Sequence, residues 1–235
     1  MASGLVFQVG ETRVFTAATD TSPHSRQCPS CFVPAVTLCY NNSMRYTNPD
    51  IGSFYRSDNL GKIYYDIVLQ YKPKKIIEFG TFNGYTAVAM ALALDELKAG
   101  RILSYDLFED YPYRHPTLEN TKRNISKSGV SQYIELGKKD IYEWLKNPED
   151  FDLLYVDASN TGETIEKTYE ALKPRVQKGS IVIFEGGSEA RDNAEWMVKY
   201  HMRKIGDTKV PYKILHQNSP SDHNPLFSLS MITKE

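Results

Sequence analysis

The residues best suited to chemistry are an acid and two glycines in one short stretch. Glu78, Gly80 and Gly84 lie within residues 76–86, between an apolar run and a run of helix-forming residues. Glycine permits a tight turn and a close approach of a ligand to the backbone, and the first turn of the following helix offers free N–H groups to an anion. The acid suits an ammonium group. The stretch therefore predicts a site for a small ligand that carries both a carboxylate and an ammonium.

Two familiar glycine loops do not match this stretch. The dinucleotide fingerprint needs a second glycine at position 82, where Phe82 would block the approach of a pyrophosphate. The phosphate loop needs a lysine followed by serine or threonine after its last glycine, and here Tyr85 and Thr86 follow Gly84. Neither loop is therefore predicted.

Residues 78–86 read E-F-G-T-F-N-G-Y-T, and residues 151–158 read F-D-L-L-Y-V-D-A. The first run resembles motif I of the class I S-adenosylmethionine-dependent methyltransferases, and both runs are most similar to the caffeoyl-CoA and catechol O-methyltransferase type. The resemblance covers residues 58–235. It implies that S-adenosyl-L-methionine is the cofactor and that a methyl group passes to a small-molecule acceptor, with oxygen as the expected acceptor atom.

The elements that must position these residues alternate between strand and helix. Apolar runs predict strands over residues 74–79, 101–107, 133–136, 151–158, 180–184, 212–217 and 227–233. Helices are predicted after residue 57 or 58, at 87–97, 116–127, 141–146, 161–173 and 189–204. The order predicts an α/β fold, a Rossmann-like doubly wound sheet of seven strands, and the resemblance implies that the last strand is antiparallel. We expect an N-terminal extension or lid over residues 1–56 and a methyltransferase domain over 57–235.

An acid at the end of the second strand, Asp106, is placed to accept hydrogen bonds from both hydroxyls of a ribose. The resemblance assigns Glu78 to the methionine ammonium, Thr86 to the methionine carboxylate and Asp140 to adenine. Asp140 also suits the N-cap of the helix that follows it. The other residues expected at the cofactor are Gly80, Thr81, Phe82, Asn83, Gly84, Leu107, Ile141 and Asp157.

Asp157 and Glu185 follow the fourth and fifth strands and are expected to be the catalytic pair, facing the methyl acceptor with or without a metal. In the metal-dependent relatives an acid at the position of Asp157 binds a divalent ion, which would be magnesium. Glu185 could supply a second ligand, but Gly186 has no side-chain oxygen for a third, and Asn160 stands close to where relatives carry a lysine. The metal question stays open from the sequence.

Two aromatic segments are candidates to cover the site. Tyr46, Phe54, Tyr55 and Arg56 are lid candidates, with a surface-packing cluster as the alternative. Residues 108–116 contain several aromatic side chains and a histidine, which could close over an aromatic substrate or pack against one another.

Composition sets the remaining bounds. The chain has 235 residues, 41% hydrophobic and 24% charged, with a net charge of −1, which is ordinary for a globular protein. The near-neutral net charge does not indicate non-specific binding of nucleic acid. No apolar run is long enough to span a membrane, and the first residues do not show the basic and then apolar pattern of a signal peptide. We therefore expect a cytoplasmic protein without nucleic-acid or membrane partners, and leave open whether it is a homodimer.

His24, Cys28, Cys31 and Cys39 cluster in the N-terminal stretch. They could hold a structural zinc, although reduced cysteines on a loop are the alternative that the incomplete spacing favours. Two functional alternatives also stay open: methylation of a small amine, and a protein that binds S-adenosylmethionine without catalysis.

Overall fold

The described part of the chain comprises residues 46–174 and 179–233 of a computed structural model. The histidine and the three cysteines considered for zinc lie outside the described residues, as does most of the predicted N-terminal extension. None of the helices in the described part is long and apolar enough to cross a membrane.

A seven-stranded sheet forms the centre of the molecule, in the order β3-β2-β1-β4-β5-β7-β6. Strands β1 to β5 pair in parallel, and β7 runs antiparallel to both of its neighbours. This confirms the predicted doubly wound sheet with an antiparallel last strand. The strands are β1 (Lys75–Phe79), β2 (Arg101–Asp106), β3 (Ile134–Lys138), β4 (Leu153–Val156), β5 (Ile181–Glu185), β6 (Tyr212–Gln217) and β7 (Ser228–Ile232).

Helices connect the strands, together with single 3-10 turns at Phe108–Asp110 and Ser131–Tyr133. In the described part they are α1 (Gly61–Tyr71), α2 (Tyr85–Leu97), α3 (Leu118–Ser126), α4 (Ile141–Lys146), α5 (Gly162–Leu172), α6 (Glu189–Asp192) and α7 (Glu195–Lys199). Thr117, Asp140 and Thr161 cap α3, α4 and α5 with their side chains, which explains where these helices begin.

Alternation along the strands builds two hydrophobic cores, one on each face of the sheet. In β4, Leu153 and Tyr155 belong to the core shared with α1 and α2, whereas Leu154 and Val156 belong to the core on the opposite face. All four side chains are fully buried. A parallel strand covered by helices on both faces is apolar throughout, as this run is.

The predicted helix over residues 189–204 is wrong in its length, because the structure divides it into α6 and α7. Asp192 ends the first piece, since its carboxylate accepts hydrogen bonds from the backbone N–H groups of Ile205 and Gly206, at 3.0 and 2.7 Å. These contacts fold the chain back at a point where a continuous helix would carry it away. Such a long-range contact leaves no periodic signal in the sequence.

The predicted start of the first helix, with Ser57 or Asp58 as its N-cap, is also wrong, because α1 begins at Gly61 and Leu60 is its N-cap residue. The Asp58 carboxylate instead accepts hydrogen bonds from the backbone of His223 and Asn224, at 2.9 and 2.8 Å. It thus fastens the start of α1 to the loop between β6 and β7.

Candidate functional site

A cavity of about 240 Å³ opens at the carboxyl ends of β1, β2 and β4. Its walls are residues 53–55, 80–83, 85 and 86, together with Asp106, His115 and Asp157. Most of the predicted cofactor residues are therefore brought together here. Six predicted site residues do not line it: Glu78, Gly84, Leu107, Asp140, Ile141 and Glu185.

The loop between β1 and α2 is pressed against the end of β4. Gly80 has φ +98°, and a Cβ there would lie 2.3 Å from the carbonyl oxygen of Asp157. The Asp157 N–H donates to the Phe79 carbonyl at 2.8 Å, which fixes the two strand ends together. Only glycine fits this approach, so the residue that the motif suggested for ligand contact first serves the packing of the loop.

Glu78 is fully buried in β1, two residues before Gly80, and one of its carboxyl oxygens has no partner in the described part. Its Oε2 accepts from the Ser104 hydroxyl, which in turn accepts from Thr81 at 2.7 Å, while Oε1 has no partner in the described part. Burial raises the pKa of Glu78 to about 8. The hydrogen bond from Ser104 lowers this pKa, whereas the negative charges of Asp157 and Asp106 raise it further. A buried, unpartnered carboxyl oxygen fits the ammonium that the sequence predicted.

Asp106 stands at the end of β2, held by two backbone groups and a histidine. Its Oδ2 accepts from the Phe82 N–H at 2.8 Å, and its Oδ1 from the Phe108 N–H at 3.0 Å. His115 Nε2 lies 3.0 Å from the same Oδ1. Each carboxylate oxygen accepts about two hydrogen bonds, so Oδ2 has capacity left for a ligand hydroxyl.

The aromatic loop over residues 108–116 packs its rings against one another, and its closure over an aromatic substrate stays a prediction. The ring of Tyr111 lies 5.0 Å from that of His115 and 5.6 Å from that of Tyr113. His115 also meets the Phe82 ring edge-on at 5.1 Å and lines the cavity. The contact between His115 and Asp106 was missed, because nothing in the loop's composition tells which side chain turns inward.

Asp157 is the centre of a hydrogen-bonded cluster of tyrosines. Its Oδ2 accepts from Tyr55 at 2.7 Å and from Tyr155 at 2.9 Å, and Tyr64 donates to Tyr155 at 2.7 Å. Burial raises the pKa of Asp157, while its hydrogen bonds from Asn160, Tyr55 and Tyr155 and the charge of Arg191 oppose the rise. The sequence named Tyr55 only as a lid residue and gave no role to the two buried phenols.

Glu185 lies behind Asp157 rather than in the cavity wall. Arg191 donates to it through Nε at 2.8 Å and Nη2 at 3.0 Å, and Asn160 donates to its Oε2. Burial raises the pKa of Glu185 to about 7, although the hydrogen bonds and charge of Arg191 act in the opposite direction. Arg191 was not singled out in the sequence; its position six residues after Glu185 carried no recognisable signal.

This arrangement does not fit a magnesium ion. Every oxygen of Asp157 and Glu185 already accepts a hydrogen bond, and a guanidinium contacts one of the two carboxylates. Gly186 has φ +110°, and a Cβ there would lie 2.9 Å from Ile205, so no side-chain ligand is available at that position. Magnesium prefers a near-octahedral set of oxygens. Within the described residues no group of three or more His, Cys, Asp or Glu is arranged for a metal.

The segment that precedes α1 is fastened onto the glycine loop. Asn83 donates to the Gly52 carbonyl at 2.8 Å, and Tyr85 donates to the side chain of Asn48 at 2.7 Å. This places Tyr55 against Asp157, whereas Phe54 lies at the cavity wall with 82% of its surface exposed.

The two other lid candidates lie apart from the cavity. Arg56 pairs with Asp50 at 2.6 Å, and Tyr46 packs against Tyr65 with 5.1 Å between the ring centres. A lid role for the whole segment stays a prediction.

Asp140 is the N-cap of α4, as one of its two predicted roles required. Its Oδ1 accepts from the backbone N–H groups of Tyr142 and Glu143, at 2.6 and 3.3 Å. Leu107 is half-buried and Ile141 is buried. The adenine role of these three residues stays a prediction.

Comparisons with known proteins agree with the geometry. Residues 77–185 match a family model described as "Methyltransferase domain". No curated protein matches the sequence.

Solved structures share the fold at low identity. The O-methyltransferase TomG from Streptomyces achromogenes, involved in tomaymycin synthesis and crystallised with S-adenosylmethionine, has a TM-score of 0.52 and 19% identity, covering 79% of this chain and 83% of that one. An O-methyltransferase from Bacillus cereus, in complex with S-adenosylhomocysteine, has a TM-score of 0.52 and 16% identity, covering 76% and 82%. A candidate caffeoyl-CoA O-methyltransferase from Staphylococcus aureus has a TM-score of 0.50 and 15% identity, covering 75% and 83%.

The sheet order and the position of the cavity define the class: a Rossmann-like α/β fold with a cavity at the carboxyl ends of its strands, where such sheets bind ligands. The family match makes this more specific, because residues 77–185 match the model of a methyltransferase domain. The resemblance that the motifs carried is thereby confirmed over these residues.

Proposed function

We propose that this protein transfers the methyl group of S-adenosylmethionine to an oxygen of a small molecule. The observation that carries the proposal is the cavity itself, with Asp106 and Asp157 in its wall and the unpartnered oxygen of Glu78 on the strand that leads into the 80–86 loop. TomG and the Bacillus cereus enzyme, both O-methyltransferases of this fold, hold S-adenosylmethionine or its product in their crystals.

The cofactor's parts have matching groups along the cavity. Its ammonium would bind Glu78, and its carboxylate the first turn of α2 at Thr86, where free N–H groups favour an anion. Residues 80–84 would pass beneath the methionine portion. The ribose hydroxyls would bind Asp106, and the adenine would reach Asp140 beside Leu107 and Ile141.

The chemistry proposed is an in-line displacement. The acceptor oxygen attacks the methyl carbon, the carbon–sulfur bond breaks, and S-adenosylhomocysteine leaves as a neutral thioether. The acceptor proton passes to Asp157, whose buried position favours taking up a proton. The sulfonium is a good leaving group, so holding the acceptor in line supplies much of the rate.

Glu185 acts in this scheme by holding Asn160, which contacts Asp157. A cytoplasmic location and the absence of nucleic-acid partners belong to the same proposal. We also propose that the boundary between an N-terminal segment and the methyltransferase domain lies near residue 56.

Calorimetric titration with S-adenosylhomocysteine, with and without Mg²⁺, tests the cofactor assignment. We expect saturable binding whose affinity does not depend on Mg²⁺. Transfer of a labelled methyl group to a panel of phenols and amines then tests the acceptor, with Asp157→Asn as the matched variant. Absence of cofactor binding would end the proposal, and transfer to amines alone would replace oxygen by nitrogen.

A further inference from the structure

Two buried carboxylates share one amide nitrogen. Asn160 Nδ2 donates to Asp157 Oδ1 at 2.8 Å and also to Glu185 Oε2. Because both neighbours are hydrogen-bond acceptors, the nitrogen and not the oxygen of the amide must face them. The amide is therefore held in one orientation, with its Oδ1 buried and without a partner in the described part.

Two carboxylates held this close in the interior either share a proton or are stabilised by a nearby positive charge. Arg191 supplies it through two parallel hydrogen bonds to Glu185, and the side chains of Arg191 and Glu185 are only 13% and 5% exposed. The guanidinium also stacks on the ring of Trp196, 4.3 Å from the ring centre. The planar fork of arginine matches a carboxylate in this geometry.

The backbone holds Arg191 in place as well. Ser188 caps α6, and its hydroxyl accepts from the Arg191 N–H at 3.2 Å. Gly186 and Gly187 precede it with φ values of +110° and +92°, so the chain turns sharply between Glu185 and α6. This turn brings the arginine back onto the carboxylate six residues earlier.

We propose that Arg191 is a positioning residue that acts as the fixed cation of the Asp157–Asn160–Glu185 cluster and closes this cluster to divalent metal ions. The proposal rests on the proposed function only in assigning Asp157 to the methyl acceptor.

The physical reason is charge and ligand count. A divalent ion between Asp157 and Glu185 would lie beside a guanidinium that does not lose its proton, and the repulsion between the two cations opposes its binding. The ion would also have to displace Arg191 from Glu185 and Asn160 from both carboxylates. Gly186 offers no side chain to replace the lost contacts. Arg191 thus keeps Glu185 and Asn160, and through them Asp157, in one arrangement.

Removing the guanidinium should open the site. The decisive experiment is titration of Mn²⁺ into the cofactor-free protein, followed by the electron paramagnetic resonance signal of the free ion. Wild type should leave Mn²⁺ free, whereas Arg191→Met should bind about one equivalent, because the two carboxylates then lose their fixed cation. Adding Glu185→Gln to Arg191→Met should abolish the gained binding.

Two control variants separate this role from a general effect of charge. Arg191→Lys keeps the positive charge and should restore exclusion of Mn²⁺. Arg203→Met removes an arginine of the same charge, one that pairs with Glu166 on the surface, and should leave Mn²⁺ free. Thermal unfolding reports whether each variant is folded, and Arg191→Gln, with the same expected gain, replaces Arg191→Met if the latter does not fold.

The proposal is overturned if wild type binds Mn²⁺ and loses it on Glu185→Gln, or if a folded neutral variant at position 191 binds none. The assay uses neither cofactor nor acceptor. A failure of S-adenosylhomocysteine to bind would therefore count against the proposed function and not against the role of Arg191. A failure of the Mn²⁺ experiment would count against the role of Arg191 and not against the proposed function.

Discussion

Asp106 joins the glycine loop, the aromatic loop and the predicted ribose position through one carboxylate. It is the side chain whose change should act most directly on the cofactor. Asp106→Ala should raise the dissociation constant of S-adenosylhomocysteine by roughly ten- to hundred-fold, the range for hydrogen bonds to a charged group. Calorimetric titration measures this.

Asp110→Ala is the matched control for that change, because it removes an exposed acid of the same type that pairs with Lys138 and does not line the cavity. We expect its cofactor affinity to be retained. Unchanged affinity in a folded Asp106→Ala protein would show that the ribose lies elsewhere.

Glu78 predicts a pH dependence of cofactor binding. Its pKa of about 8 means that the cofactor-free protein holds a proton there at pH 6 to 7. The cofactor's ammonium favours the ionised carboxylate, so binding releases that proton and affinity should rise with pH up to about 8. The rise is at most about tenfold per pH unit.

Affinity for S-adenosylhomocysteine measured between pH 6 and 8 checks this slope. Glu78→Gln should flatten it, and Glu143→Gln, which changes an exposed acid that pairs with Lys146, should retain it. A slope that persists in Glu78→Gln would assign the proton to another group.

At the scale of elements, residues 46–56 depend on a few polar contacts with the start of α2. Asn83→Ala removes the hydrogen bond to the Gly52 carbonyl, worth about 1 kcal/mol. We expect faster amide hydrogen exchange in residues 48–56 and weaker binding of the cofactor, whose site this segment borders. Hydrogen exchange followed by mass spectrometry reads the first effect directly.

Asn193→Ala serves as the control, since it removes a comparable amide-to-carbonyl hydrogen bond within the turn after α6. It should leave exchange in residues 48–56 unchanged. If residues 48–56 exchange their amide hydrogens equally slowly in the Asn83→Ala and wild-type proteins, the hydrogen bond from Asn83 does not hold this segment in place.

At the scale of the whole molecule, the stability of the fold depends on the packing of the loop after β1 against the end of β4. Gly80→Ala places a Cβ 2.3 Å from the Asp157 carbonyl at a positive φ, which adds a steric clash to backbone strain. We expect it to lower the free energy of unfolding by roughly 3 kcal/mol or more. Urea unfolding measures the loss.

Gly129→Ala is the matched control, because Gly129 also has a positive φ, of +75°, with nothing within 4 Å of the added Cβ. It should cost only about 1 kcal/mol, the strain of the left-handed conformation. Equal losses for the two variants would mean that the close approach to Asp157 contributes nothing.

The sequence by itself determined the parts of this protein that depend on local pattern. Apolar runs and helix signals placed the strands and most helices, because burial against helices on both faces demands such runs. The motif around Gly80 and Gly84 and the acids at strand ends placed Asp106 and Asp157 at one edge of the sheet, since parallel strands end together there.

Only the tertiary structure decided which side chains meet. Tyr55 reaches Asp157 from 102 residues away and Tyr64 reaches Tyr155 from 91, and neither pairing has a sequence period. The turn at Gly186 and Gly187 brought Arg191 onto Glu185, which the sequence placed at the acceptor. Such contacts depend on how elements pack and turn in three dimensions, and no local spacing encodes them.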